Sequence, residues 1–310
     1  MHDGPLEVQP GGIAWDQTLR LTAPDGVRLR GALWQGGERG LVLLLAGRTE
    51  FLEKYTQPAA QLVQRGFTVA GLDWRGQGLS QRLIHPHVKG HVGHFTEFHR
   101  DLDALLAHPA VSELPGPRIM LANSMGGAIG LGALYRGRAE VDAAVLLAPM
   151  LGIRMGALLR FFSHLVLPVA RRTGNLTRWP PLPRMARPYA FEGFDGNVLT
   201  GDREMFDWFA QTIQHHRDLQ LAMPTLGWVS EALAEMGWLR AQGRLSCPCL
   251  CLLGGLETVV TPAAVRSGAD LIGARLAEIA GARHDLLMEA EPLRAQVWEQ
   301  IDRFLGTHGI

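Results

Sequence analysis

Four short runs of this chain are dominated by apolar residues with no polar alternation: GLVLLLAG at 40–47, FTVAGLDW at 67–74, RIMLANS at 118–124 and VDAAVLLAP at 141–149. A strand with one wet face alternates apolar and polar residues, whereas runs like these suit strands covered on both faces. Helical stretches fall between them, at about 53–65, from Glu97 to Ala107, and over MGGAIGLGALYRG directly after Ser124. Strand and helix in alternation imply an α/β fold, with a mostly parallel central sheet and helices on both faces. In that architecture ligands bind at the carboxyl ends of the strands.

The flanking segments extend this pattern. QTLRLTAPDGVRLRGALWQ reads as two strands around an Asp25-Gly26 turn. Near residue 151 the rhythm breaks, and it returns with a strand at 248–255, a helix after Pro262, the strand RLAEIAG and a helix from about Pro292 to Leu305. Residues 1–150 and 229–310 therefore form the expected core, and 151–228 an inserted cap.

Composition excludes several classes. Thirty basic and thirty acidic side chains cancel, so the electrostatic footprint of a nucleic-acid binder is missing. Cys247, Cys249 and Cys251 alternate along one strand, a poor geometry for bridging and an unusual spacing for zinc. No basic leader precedes an apolar core in MHDGPLEVQPGG, and no apolar run approaches the roughly 18 to 20 residues of a membrane span. The expected location is the cytoplasm, with peripheral contact at the inner face of the membrane as an option.

Ser124 stands where the third buried strand meets a train of small residues, LANSMGGAIG. Small residues let a strand turn sharply into a helix, and such a turn can display a serine as a nucleophile. A serine hydroxyl needs a base, and His284 in GARHDLLME follows the last predicted strand. An acid must orient that imidazole, and Glu257 in LLGGLETVV follows the strand before. The order along the chain is serine, acid, histidine, which is the order of the triad in α/β-hydrolases.

Five ordered stretches, AGRTEFLEKY, LDWRGQGLS, NSMGG, GGLETVV and GARHDLLME, make the chain resemble the α/β-hydrolases of the monoacylglycerol lipase and bacterial lysophospholipase L2 group over nearly its whole length. The resemblance implies Ser124 as nucleophile, His284 as general base and acid, and Glu257 as the orienting carboxylate. It also implies an oxyanion hole from the main-chain N–H groups of Arg48 and Met125, and a reaction that needs no cofactor. Four positions depart from the group: Ala122 replaces the first glycine of the serine motif, Asn123 and Ala46 stand where histidines are usual, and the acid is Glu rather than Asp. Asp73, Arg75 and Gly76 in DWRGQGLS read as shaping a strand exit. His85, His87, His91 and His94 raise a metal site, which the missing carboxylate pattern argues against. No phosphate-cradling loop of a nucleotide binder occurs.

Within the insertion, residues 151–190 carry Arg154, Arg160, Arg171, Arg172, Arg178, Arg184 and Arg187 and no acidic residue. Met155, Leu158, Leu159, Phe162, Leu165, Val166 and Val169 follow the spacing of one helix face, which Pro168 should kink or end. Leu158, Leu159, Phe162, Leu165 and Val166 are the candidates for lining an acyl-chain channel, with the arginines meeting phosphate or an anionic membrane surface. The bland alternative is a cap helix packed on the core. The expected activity is hydrolysis of single-chain lipid esters, lysophospholipid or monoacylglycerol. A carboxylesterase or acyltransferase on other hydrophobic esters stays open, as does a non-catalytic lipid-binding protein of the same fold.

Overall fold

The computed structural model of the protein describes residues 3–154, 157–181 and 185–310, without the side chains of 157–164. In chain order its elements are β1 (Gln17–Thr22), β2 (Arg28–Trp34), β3 (Gly40–Leu45), α1 (Thr56–Gln64), β4 (Phe67–Leu72), α2 (Glu97–Leu106), a short α3 (Pro109–Ser112), β5 (Arg118–Asn123), α4 (Met125–Tyr135), β6 (Ala143–Leu147), α5 (Ala157–Arg172), α6 (Arg203–His215), α7 (Leu226–Leu239), β7 (Cys249–Gly254), α8 (Pro262–Ile272), β8 (Arg275–Ile279) and α9 (Glu291–Thr307).

The strands form one sheet in the order β1-β2-β4-β3-β5-β6-β7-β8. β1 and β2 pair antiparallel around the Asp25-Gly26 turn, and β2 pairs antiparallel with β4. Every later pairing is parallel. β3, β4, β6 and β7 are buried at every position, the state their uninterrupted apolar sequences require. β8 is one of the two edge strands, and only Ile279 of it is fully buried. Cys249 and Cys251 are buried in β7 as free thiols, and burial raises the pKa of both.

Two apolar clusters hold the molecule together. The larger surrounds the sheet and takes in Trp228, Ala232, Met236 and Leu239 of α7. That helix therefore belongs by packing to the core, and the expected cap boundary at 228/229 falls inside it. The smaller cluster joins Phe206, Phe209 and Ile213 of α6 to Phe51 and Met288. Phe51 and Phe209 stack with ring centroids 5.9 Å apart and planes 4° from parallel, so the inserted segment is docked by aromatic packing as well as by its chain ends.

Pro168 does not end its helix: α5 runs on to Arg172. The proline is exposed, so water can satisfy the carbonyl that loses its amide partner. The DWRG segment is structural as expected. Asp73 accepts from the N–H groups of Leu52 (2.9 Å) and Leu79 (2.8 Å) and from the buried Arg30, while Arg75 pairs with Asp25 and Asp101.

Candidate active site

β5 stops at Asn123 and α4 begins at Met125, leaving Ser124 alone at the bend with φ 51° and ψ −114°. A positive φ is costly for a residue with a Cβ, so the surroundings must hold it. The Ser124 N–H donates to the Leu147 carbonyl (2.8 Å), and the Ser124 carbonyl accepts from Gly127 (3.0 Å) and Met150 (2.9 Å). Gly126 is required by close approach: a Cβ there would lie 2.2 Å from the Leu45 carbonyl oxygen. Ala122 is fully buried at the end of β5, so the small side chain in place of glycine is accommodated. Thr49 and Ala148 are the other non-glycine residues with positive φ among the described residues, and each follows a strand next to β5.

Two loops at the same edge bring the partners. Glu257 follows β7 and His284 follows β8, and Gly254 lets them meet, since a Cβ there would sit 2.2 Å from the Arg283 carbonyl oxygen. His284 Nε2 lies 3.0 Å from Ser124 Oγ, and its Nδ1 lies 2.7 Å from Glu257 Oε2. The other Glu257 oxygen accepts the N–H groups of Val259 and Val260. Burial works to raise the Glu257 pKa, but the His284 hydrogen bond and charge and these two amides outweigh it and hold the carboxyl below its usual range. The carboxylate thus stays ionised and fixes the imidazole with Nε2 toward the serine. Ser124, His284 and Glu257 are all buried or nearly so.

Met125 and Arg48 border the same cavity as Ser124. The main-chain N–H of neither is donated to an acceptor among the described residues. Met125 is also the first residue of α4, where the helix dipole favours negative charge. The arrangement can therefore generate an alkoxide-like nucleophile and offer amides to an oxyanion.

Sequence reasoning did not find the polar cluster behind these groups. Glu50 accepts from the Gly47 N–H, the Tyr55 hydroxyl, Lys54 Nζ and, at 2.8 Å, Asn123 Nδ2. Lys54 also pairs with Asp285. Burial favours a neutral Glu50, but the Lys54 charge and these hydrogen bonds keep it ionised; burial likewise opposes a charged Lys54, and its two carboxylates reverse that. Burial pushes the Asp285 carboxyl up. The cluster thus ties the neighbour of Ser124 to the neighbour of His284 through the turn that carries Arg48. The spacing of Glu50 and Lys54 in GRTEFLEKY is its only trace in the sequence.

The cavity has a volume of about 270 Å³ and a largely apolar wall that includes Met150, Ile153, Phe209, Met223, Trp228 and Val260. Of the expected channel residues, those whose side chains are described do not supply it. Leu158, Leu159 and Phe162 lie outside the described side chains, Leu165 is 56% exposed, and Val166 is half-buried and not part of the wall. α5 rests against α7, and among the described residues the wall on the inserted side comes from Ile153 and from residues 189–228. His85, His87 and His94 are exposed, and His91 hydrogen-bonds Thr225 Oγ1 at 2.8 Å. Among the described residues no group of three or more His, Cys, Asp or Glu could hold a metal ion.

A family model described as serine aminopeptidase, S33, matches residues 36–291. Lysophospholipase L2 of Escherichia coli strain K12 is 32% identical over 290 residues, covering 86% of this chain and 81% of that protein. A monoacylglycerol lipase of Mycolicibacterium smegmatis is 28% identical over 293 residues, covering 91% of this chain and 94% of that protein. Among solved structures, a soluble variant of the monoglyceride lipase of Saccharomyces cerevisiae superposes with a TM-score of 0.70 at 16% identity, over 94% of this chain and 98% of that one.

Proposed function

The chain belongs to the serine aminopeptidase S33 family of α/β-hydrolases, and from that premise we propose that it hydrolyses carboxylic esters of single-chain lipids at Ser124. The observation that carries the reading is the continuous chain Glu257–His284–Ser124 opening into a cavity with an apolar wall. His284 takes the Ser124 proton as Oγ attacks the ester carbonyl, and the oxyanion forms against the Met125 and Arg48 amides. Collapse returns the proton from His284 to the leaving alcohol and leaves an acyl-serine. A water that gives its proton to His284 then releases the fatty acid and restores Ser124.

The charges at the cavity favour an ester over an N-terminal peptide. An aminopeptidase must receive a substrate ammonium, which calls for an uncompensated carboxylate. Glu50 borders the cavity but is already paired with Lys54, and Glu257, which is not among the wall residues, has both oxygens occupied by His284 and the Val259 and Val260 amides. The relatives named as a lysophospholipase and a monoacylglycerol lipase support a single-chain glycerolipid. Each methylene buried in the cavity contributes about 0.8 kcal/mol, so longer chains should be preferred until the wall is filled.

A panel of p-nitrophenyl esters of rising chain length, followed by lysophospholipid and monoacylglycerol, tests the reading. kcat/KM should climb with chain length; a maximum at acetate would contradict it.

Contact with an anionic membrane surface is part of the same reading. Among the described residues no helix is long and apolar enough to cross a membrane. Leu165 and Val169 stand 56% and 59% exposed on α5, with exposed Arg171 and Arg172 at its end. Apolar side chains beside arginines suit insertion at a lipid headgroup boundary.

A further inference from the structure

Besides the phenol of Tyr189, four acidic or basic side chains line the cavity at Ser124: Arg48, Glu50, Lys54 and His284. Three of them have a side-chain partner of complementary kind: Lys54 pairs with Glu50 and Asp285, and His284 hydrogen-bonds Glu257. Arg48 has none among the described residues. Its Nη2 donates to the neutral Ala222 carbonyl, its Nε is sealed from solvent without an acceptor, and its Nη1 is neither bonded nor sealed. The guanidinium rests 5.3 Å from the centroid of the Trp228 ring, and Gly90 makes room for it, since a Cβ there would lie 2.7 Å from Nη2. Burial lowers its pKa to about 9, which leaves it a cation at neutral pH.

A cation partly withdrawn from water and given only a carbonyl and an aromatic face is held at a cost, and an anion of matching shape reduces that cost. The fork of the guanidinium suits a phosphate. Its position relative to the reacting ester follows from covalent geometry. The Arg48 main-chain N–H is one of the two oxyanion donors argued above, and about six covalent bonds separate that nitrogen from Cζ. In a 1-acyl glycerophospholipid about six bonds separate the ester carbonyl carbon from phosphorus. A substrate whose carbonyl meets the Arg48 amide can thus carry its phosphate to the Arg48 guanidinium.

We propose that the Arg48 side chain is a phosphate-recognition site of the catalytic cavity, which takes the phosphodiester of a single-chain glycerophospholipid and sets preference for it over a neutral monoacylglycerol. The assignment rests on Ser124 being the esterase nucleophile.

The test compares kcat/KM for lysophosphatidylcholine and monoacylglycerol of equal chain length in the wild type, Arg48→Met and Arg48→Lys. The ratio of the two should favour the phospholipid in the wild type and fall about 10- to 100-fold in Arg48→Met, the range set by hydrogen bonds to a charged group. Arg48→Lys should fall between. Equal losses on both lipids, or an unchanged ratio, would overturn the site. A wild type that cleaves monoacylglycerol but not lysophospholipid would overturn it while leaving the lipid-esterase reading intact; cleavage of neither would end both.

If Arg48→Met does not fold, calorimetry on the wild type decides instead. A 1-O-alkyl glycerophosphocholine should bind at least about tenfold more tightly than the matching 1-O-alkylglycerol, and equal affinities would overturn the proposal. Inorganic phosphate separates the two sources of a phosphate. Weak competition with the ether phospholipid supports the headgroup, whereas binding of phosphate alone as tight as that of the ether lipid would assign the site to a free anion.

Discussion

Lys54 Nζ pairs with Asp285, the residue after His284, across 231 positions of chain, and its second carboxylate is Glu50, beside the turn that carries Arg48. One ammonium therefore joins the two loops that must keep the imidazole and the oxyanion amides in register. It also offsets part of the negative charge that would otherwise face a developing oxyanion.

Replacing Lys54 by Met leaves Glu50 and Asp285 buried with no cation between them. Loss of one partner from a buried ionic cluster costs about 3 to 5 kcal/mol, measurable by denaturant unfolding at pH 7. Carboxyls raised in the fold bind protons more readily there than in the unfolded chain, so part of the loss should be regained as pH falls. A variant whose deficit grew on acidification would contradict this assignment.

Glu257 titrates in the opposite sense. Its pKa is lowered in the fold, so the stability it contributes is complete above its unfolded value and is lost as pH falls through the folded one. Glu257→Gln should flatten that part of the acid limb of a stability-versus-pH curve. It should also reduce kcat by about 10³- to 10⁴-fold, because the imidazole loses its fixed tautomer. Near-normal turnover would mean that another carboxylate orients His284.

Gly126→Ala would drive a methyl against the Leu45 and Ala46 carbonyl oxygens. Overpacking against backbone should destabilise the protein by about 3 kcal/mol or more and abolish display of Ser124. Gly306→Ala, in α9 with no atom near the added Cβ, should instead stabilise by about 0.5 to 1 kcal/mol. Thermal unfolding of the two variants side by side checks both signs.

Phe209→Ala removes the ring stacked on Phe51 and part of the cavity wall. A loss of about 3 to 5 kcal/mol is expected, together with a shift of the chain-length optimum toward bulkier acyl groups. An unchanged optimum would place the acyl chain on another wall.

Leu165→Asp with Val169→Asp should weaken sedimentation with vesicles rich in anionic phospholipid by about tenfold, while turnover of a soluble ester stays near the wild-type rate. Retained vesicle binding would exclude this face of α5 as the contact.

The central strands were legible because burial on both faces writes itself into sequence as unbroken apolar runs, as in β3. The Ser124 bend was legible for a related reason: backbone crowding there admits only small residues, which stand out. The cavity wall was not. Several of its residues from the insertion, Val198, Leu199 and Met223, come from irregular segments without helical period, while the periodic stripe of α5 leaves Leu165 and Val169 in solvent. Charged residues in a sequence read by default as solvated. Glu50, Lys54 and Asp285 become buried only because loops distant in the chain converge, and no local pattern records that convergence.

The most direct test of the account is the mass of the intact protein, and of its peptides, after reaction with a fluorophosphonate. The account predicts one adduct per chain, located on Ser124, absent from Ser124→Ala and much slower to form in a His284 variant. Folded protein that takes up no adduct, or carries it on a residue other than Ser124, would contradict it.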